Sequence, residues 1–253
     1  MASFMDRINK GKQDRPRRLL LYGVHGVGKS TFASEAPAPI FLPTEDGLGD
    51  IDCESFPLIK TYKEMLTAIT SLLKEDHAYK TAVIDSLDWL EKMIWQHSCD
   101  EHKKADIEAF GYGKGYTIAL TYWRKILAGM DALRDQKGMH IVFIAHAKVE
   151  KFEDPEADTY DRYSPQLHKH ASAVVQQWCD EVLFTTYKTI VKNTDEGFGN
   201  SRRRGIGTGE RIMRCSTRPA AVAKNRLNLP DELPLKWSEY SAHFPTPKKK
   251  ESK

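Results

Sequence analysis

The stretch Gly23-Val24-His25-Gly26-Val27-Gly28-Lys29-Ser30 decides how the rest of the chain reads. It fits the spacing GxxxxGK[ST], in which each fixed residue has a physical job. Glycines let the backbone curl so that successive N–H groups point inward at phosphate oxygens. The helix expected to follow presents its positive end to the same anion. Lys29 is placed to reach the β- and γ-phosphates, and Ser30 offers a hydroxyl to magnesium. The flanks agree: the apolar run Arg18–Tyr22 (RLLLY) reads as a buried strand, and Lys29–Glu35 reads as a helix ended by Pro37 and Pro39. The expected ligands are ATP and Mg2+, cradled by residues Gly23 to Ser30 together with Thr31.

Outward from this loop, short apolar strands alternate with helices. Ile40–Pro43, Thr81–Ile84, His140–Ile144 and Glu181–Tyr187 read as strands, and Tyr62–Lys74, Trp89–His102 and Thr117–Lys137 as helices. This alternation predicts an α/β fold built on a mostly parallel sheet. Antiparallel strands are expected after the core, near Thr189–Lys192 and Arg211–Cys215. The glycine- and aromatic-rich Phe110–Tyr116 reads as a loop. Glu150–Ser164 and Asn193–Gly209 lack a core signal and read as long mobile loops. The organisation expected is a basic arm over residues 1–17, one ATPase domain over 18–240, and a basic, disordered tail over 241–253.

Composition narrows the class. At 40% hydrophobic and 29% charged residues the chain suits a soluble globular protein. No apolar run approaches the roughly 18 residues that cross a bilayer, so no membrane partner is expected. The N-terminus has no apolar stretch of the secretory kind. Four scattered cysteines without a CxxC pair fit a reduced, cytoplasmic setting. A net charge of +3 does not by itself demand nucleic acid, although basic residues gather at Lys10–Arg18, Arg202–Arg204 and Lys248–Lys250.

A hydrolytic site needs more than the loop. Asp85 ends the apolar run Thr81–Ile84 and fits a carboxylate that holds magnesium beside Ser30; the bland alternative is that Asp85 or Asp88 caps the next helix. Glu45 follows the second strand and could orient or deprotonate a water, with Asp46 as competitor. His146, just past His140–Ile144, could sense the γ-phosphate or be structural. His97, Cys99 and His102 lack a convincing fourth ligand for zinc, and His168 and His170 are read likewise.

In this order the motifs resemble the RecA-type recombinase ATPase core, and more closely the short core-only phage proteins of AAA type, some of which anneal single strands. The resemblance covers Arg18 to Leu235. IFLPTEDGLGDI resembles the strand-then-glutamate element, which implies a catalytic role for Glu45. VIDSLDWL resembles the Walker B strand, with Asp85 in the metal position. HIVFIAHAK resembles the strand ending in a γ-phosphate sensor, here His146. AVAKNRLNLP resembles a late segment whose two basic residues reach ATP on the next subunit; these map to Lys224 and Arg226, implying a homo-oligomer with a shared site.

The resemblance also implies single-stranded DNA binding through two loops, about Lys103–Tyr116 and Lys148–His170. Their candidate contacts are Tyr112, Lys114, Tyr116, Lys148, Lys151 and Lys169, aromatics for stacking and lysines for phosphates. With no large domain before the first strand or after the core, single-strand binding is expected ahead of strand exchange on duplex. A single-strand binding protein is a candidate partner. Two other readings stand beside this one. One is an accessory NTPase acting as loader or partner-binding switch. The other is a small-molecule kinase, with Arg202–Arg204 as a lid.

Overall fold

The computed structural model describes residues 15–156, 158–195 and 201–245, and residues 5, 8 and 11 besides. Most of the expected basic arm, and the tail from residue 246, lie outside the described residues. So do the side chains of Arg202–Arg204.

Strand β1 (Arg18–Gly23) shows why the sheet is buried on both sides. Successive side chains in a strand point to opposite faces. Leu20 and Tyr22 enter one apolar cluster, whereas Leu19 and Leu21 enter the other. A strand apolar at every position needs cover on both faces, which is the situation of a parallel α/β sheet. Helices α2 (Tyr62–Lys74), α3 (Leu87–His102), α4 (Lys114–Lys137) and α5 (Lys169–Trp178) supply the first cover. Trp123 and Met65 lie in that cluster. Helices α1 (Lys29–Ser34) and α6 (Trp237–Ser241) supply the second, through Phe32, Trp237 and Tyr240.

Around β1 the parallel strands are β2 (Pro39–Pro43), β3 (Glu54–Ser55), β4 (Thr81–Asp85), β5 (His140–Phe152) and β7 (Glu181–Asp195). Strands β6 (Tyr160–Pro165), β8 (Ser201–Arg214), β9 (Lys224–Asn225) and β10 (Glu232–Pro234) complete the sheet. The order is β10-β8-β7-β1-β5-β4-β2-β3, with β6 on β5 and β9 on β7. β8 and β10 run antiparallel to their neighbours, as expected for strands added after the core. This is an α/β P-loop NTPase fold.

Three expectations are corrected. Glu150–Ser164 is not a loop: β5 runs on to Phe152 and pairs antiparallel with β6 from Ala147↔Pro165 to Phe152↔Tyr160. Most of Asn193–Gly209 is likewise strand, since β7 pairs with β8 out to Asp195↔Ser201. Both are two-stranded arms held by backbone hydrogen bonds, which any residue but proline can donate, so such pairing needs no apolar signal. The Phe110–Tyr116 loop is shorter than expected. Helix α4 starts at Lys114, after Gly113 adopts a left-handed φ of 68°.

Candidate active site

The phosphate loop leaves β1 between β5 and β7, and two of its glycines are required by geometry. A Cβ on Gly23 would lie 2.1 Å from Thr185 Oγ1 and 2.2 Å from the Thr185 carbonyl oxygen on β7. Gly28 has φ 99°, a left-handed conformation that side chains disfavour. The Tyr187 hydroxyl donates to the Gly26 carbonyl at 3.1 Å and pins the loop tip to β7. Lys29 is buried, and its ammonium donates to the carbonyls of Gly23 (3.3 Å) and Val24 (3.0 Å). Burial pushes its pKa down, against the opposing pull of Asp85 and Glu45.

Because β5 is inserted between β1 and β4, Asp85 stands one strand beyond the loop's own neighbour. It nevertheless reaches the loop: the Ser30 hydroxyl donates to Asp85 Oδ2 at 2.5 Å. A hydroxyl and a carboxylate converging on one spot form the hard oxygen donor set that magnesium prefers. Burial raises the Asp85 pKa, offset by the Ser30 hydrogen bond and Lys29.

Glu45 does not come from a strand next to the phosphate loop. Strand β2 is not beside β1; β4 and β5 lie between them. Thr44 ties the end of β2 to the end of β4 instead. Its N–H donates to the Asp85 carbonyl (2.7 Å), its hydroxyl donates to the Ser86 carbonyl (2.7 Å), and it accepts from Ser86 N–H (2.8 Å). The next residue, Glu45, comes to 3.8 Å from His146 Nε2. Burial raises the Glu45 pKa, His146 opposes this, and Asp85 and Asp88 add to it.

His146 lies at the C-terminal edge of the parallel part of β5 and is buried. Asp88, on the first turn of α3, accepts from both His146 N–H (3.1 Å) and His146 Nδ1 (3.0 Å). Burial alone would raise the Asp88 pKa, but these bonds and the imidazole hold it below the ordinary value. Asp88 is therefore no simple helix cap; it fixes which ring nitrogen carries the proton and turns Nε2 toward Glu45. His25 stacks on His146 with ring centroids 4.0 Å apart, and its pKa is lowered by His146, then by burial and Lys29. Glu45, Asp88 and His146 each offer a ligand atom within 4.8 Å of the others, so they too could hold a cation.

The remaining sites of the sequence reading fall in two places. Tyr116 stacks on His168 at 3.8 Å and 7°, which joins the start of α4 to the start of α5 and so brings the two supposed DNA segments together. The Tyr116 hydroxyl donates to Glu108, and its pKa is pushed up to about 12. Tyr112 is fully exposed, and Lys114, Lys151 and Lys169 are exposed. Lys148 is not free: it donates to the Leu167 carbonyl (2.8 Å) and pairs with Glu150 (3.5 Å).

Lys224 and Arg226 lie at the opposite edge of the sheet, where β9 pairs with the first residues of β7. The structure does not bring them to the chain's own phosphate loop. Lys224 donates to the carbonyls of Gln176, Gln177 and Cys179 at 2.6–2.9 Å and caps α5. Arg226 pairs with Asp180 at 3.2 Å and stays half-exposed.

Sequence reasoning missed Thr44 and the orienting part played by Asp88. The spacing Asp85-x-x-Asp88 across a strand-to-helix junction was the available signal for the second. Nothing in the sequence marked Thr44.

With this geometry in view, comparison with known families is decisive: residues 15–227 match the AAA domain model AAA_24. The chain belongs to the AAA domain family. It is also similar to a protein of Bacillus subtilis (strain 168) described as an SPbeta prophage-derived uncharacterized protein, YorG, at 25% identity over 206 residues. That match takes in 73% of this chain and 58% of the relative's length, so the chain spans well under two thirds of that protein. Membership and fold make this family member a P-loop NTPase-fold protein, with a prophage-derived protein among its relatives. Among the described residues no helix is long and apolar enough to cross a membrane.

Proposed function

We propose that this AAA-family protein is an ATP-hydrolysing, single-stranded-DNA-binding recombination or annealing protein of phage type, with its ATP site completed by a neighbouring subunit. The observation that carries the hydrolytic part is that Asp85 meets the loop's Ser30 while Glu45 and His146 face each other beside the loop, His146 stacking on the loop's His25. A carboxylate with a raised pKa, facing an oriented imidazole, is equipped to take a proton from water. Lys29 and the loop N–H groups bind and orient the phosphates, and Ser30 and Asp85 would hold magnesium, which neutralises phosphate charge. His146 Nε2 is placed to hydrogen-bond an oxygen near Glu45.

The DNA part is supported by one exposed ridge, where Tyr112, Lys114 and Lys169 flank the Tyr116–His168 stack. Stacking platforms beside cations suit single strands. A shared site is supported by the half-exposed Arg226, which presents a guanidinium away from its own loop. A second reading, an accessory NTPase acting on a protein partner, is favoured by the β5–β6 arm. There Lys148 and Arg162 are both paired with Glu150, which leaves exposed Glu153, Glu156, Asp158 and Asp161 beside exposed Lys151, a net acidic arm.

The test is ATP turnover with and without a labelled single-stranded oligonucleotide, with anisotropy of the oligonucleotide read in parallel. The proposal expects ATP-dependent binding that weakens with salt and faster turnover with DNA. Turnover without DNA binding would overturn it in favour of the accessory reading. Absence of turnover, with Lys29→Ala indistinguishable from wild type, would overturn the ATPase assignment.

A further inference from the structure

One cleft beside the phosphate loop is unused by the chemistry above. It measures about 370 Å³ and is walled by Thr31 and Phe32 of α1, Arg211 of β8, and Pro234, Leu235 and Lys236 leading into α6. Its walls are firmly built. β10 pairs with β8 from Glu232↔Arg214 to Pro234↔Ile212, and Leu235 N–H donates to the Arg211 carbonyl at 3.0 Å. Glu35 accepts from Trp237 N–H at 2.9 Å, which ties the far wall to the end of α1.

Arg211 sets this cleft apart. Its Nη1 lies 3.0 Å from where a Cβ on Gly28 would sit, so the guanidinium rests on the phosphate loop itself. The side chain is exposed, and among the described residues no carboxylate lies within ion-pair distance of it. Two arginines later in the chain differ: Arg218 pairs with Asp231 and Arg226 with Asp180. Lys236 adds a second exposed cation at the same mouth. A planar guanidinium with no acidic partner, set against a phosphate-binding backbone, is suited to a bidentate grip on phosphate.

The sheet order gives the site a direction. Asp85, Glu45 and His146 come from β4, β2 and β5, on one flank of β1, whereas β7, β8 and β10 lie on the other. The carboxylates therefore face the end of a phosphate chain where bonds are broken, and the cleft faces the end that carries the nucleoside. The apolar Pro234 and Leu235 can cover a base, and the volume lies within the range of small-ligand sites, roughly 300–1,000 Å³.

We propose that this cleft seats the base and sugar of a nucleoside triphosphate, and that Arg211 is an in-chain clamp on its phosphates. The proposal rests on the nucleotide-binding reading above and names the half of the site which that reading leaves open. It also ties the β7–β8 arm to nucleotide occupancy, because Arg211 belongs to β8 just below that arm.

The test uses the full chain and two readouts other than turnover. The first is the affinity of a ribose-labelled fluorescent ATP for wild type, Arg211→Ala, Arg211→Lys and Lys29→Ala. The second is photolabelling of wild type with an azido-adenine ATP analogue, mapped by mass spectrometry. The expected result is a loss of about tenfold or more in Arg211→Ala, the size of a lost hydrogen bond to a charged group. Arg211→Lys should show a smaller loss, and label should fall on peptides containing Thr31 or Pro234–Lys236. The Arg211 side chain is exposed, so melting without nucleotide should match wild type. Wild-type affinity in Arg211→Ala, or label confined to other peptides while Lys29→Ala abolishes binding, overturns the clamp and leaves nucleotide binding standing. Failure of wild type to bind any nucleoside triphosphate overturns both.

Discussion

Glu91 offers the sharpest quantitative test of the site's surroundings. It sits on α3 one turn past Asp88 and is only 4% exposed. Its Oε2 accepts from His168 N–H at 2.8 Å, but its Oε1 has no partner. Burial raises its pKa from an ordinary 4.5 to about 7, against the lowering pull of the His168 hydrogen bond and Lys148, with Asp88 pushing it up further. Below pH 4.5 the group is protonated in both folded and unfolded chains and costs nothing. Between 4.5 and 7 the folded state holds the proton that the unfolded state has lost, so stability falls as pH rises. Above 7 the cost is complete, at about 3 kcal/mol from about 1.4 kcal/mol per pH unit. Glu91→Gln keeps an acceptor for His168 N–H and removes the titration. An amide N–H₂ without a partner would cost about 1–3 kcal/mol at every pH. The informative quantity is therefore how the stability difference changes with pH, not its absolute value. Urea unfolding of both proteins from pH 4.5 to 8.5 should show the variant gaining on wild type by about 3 kcal/mol, nearly all of it below pH 8. In melting temperature this is a relative gain of roughly 6–12 °C. A stability difference that stays flat with pH would refute the claim that Glu91 is buried protonated.

Three further outcomes follow from the site. Asp88→Asn should keep the fold but free the His146 tautomer, so ATP turnover should drop by about tenfold or more and its pH profile should shift, while fluorescent-ATP affinity changes little; an unchanged pH profile would place Asp88 outside the mechanism. Glu45→Gln should bind ATP as wild type does and lose most turnover, and retention of wild-type turnover would move the proton-accepting role to another group. Gly23→Ala forces a methyl to 2.1 Å from Thr185 Oγ1, so it should both lower the melting temperature and weaken nucleotide binding; Gly23→Ala combined with Thr185→Gly should recover less than full stability, because the Thr185 main-chain oxygen still stands 2.2 Å from that methyl.

The sequence by itself determined the phosphate loop, the parallel core and the three polar residues that meet at its edge. Those features follow from local rules: apolar runs that must be buried, glycines at a tight turn, and a carboxylate at a strand end. Helix α2 matches its expected span Tyr62–Lys74 because Thr61 caps it and its apolar residues recur at helical spacing. The β5–β6 arm was illegible, and of β7–β8 only Glu181–Tyr187 and the parts near Thr189–Lys192 and Arg211–Cys215 read as strand, since backbone pairing needs no hydrophobic pattern.

Only the tertiary structure decided how the site is assembled. The insertion of β5 between β1 and β4 puts His146 next to the loop. The Thr44 bridge, not adjacency of β2 to β1, delivers Glu45. Asp88 becomes an orienting group because α3 begins directly under β5. Arg211 reaches Gly28 from 183 positions further along the chain, through a strand whose place in the sheet no local pattern foretells. Local chemistry is written in neighbouring residues, whereas the meeting of distant side chains depends on strand order, which the whole core sets at once.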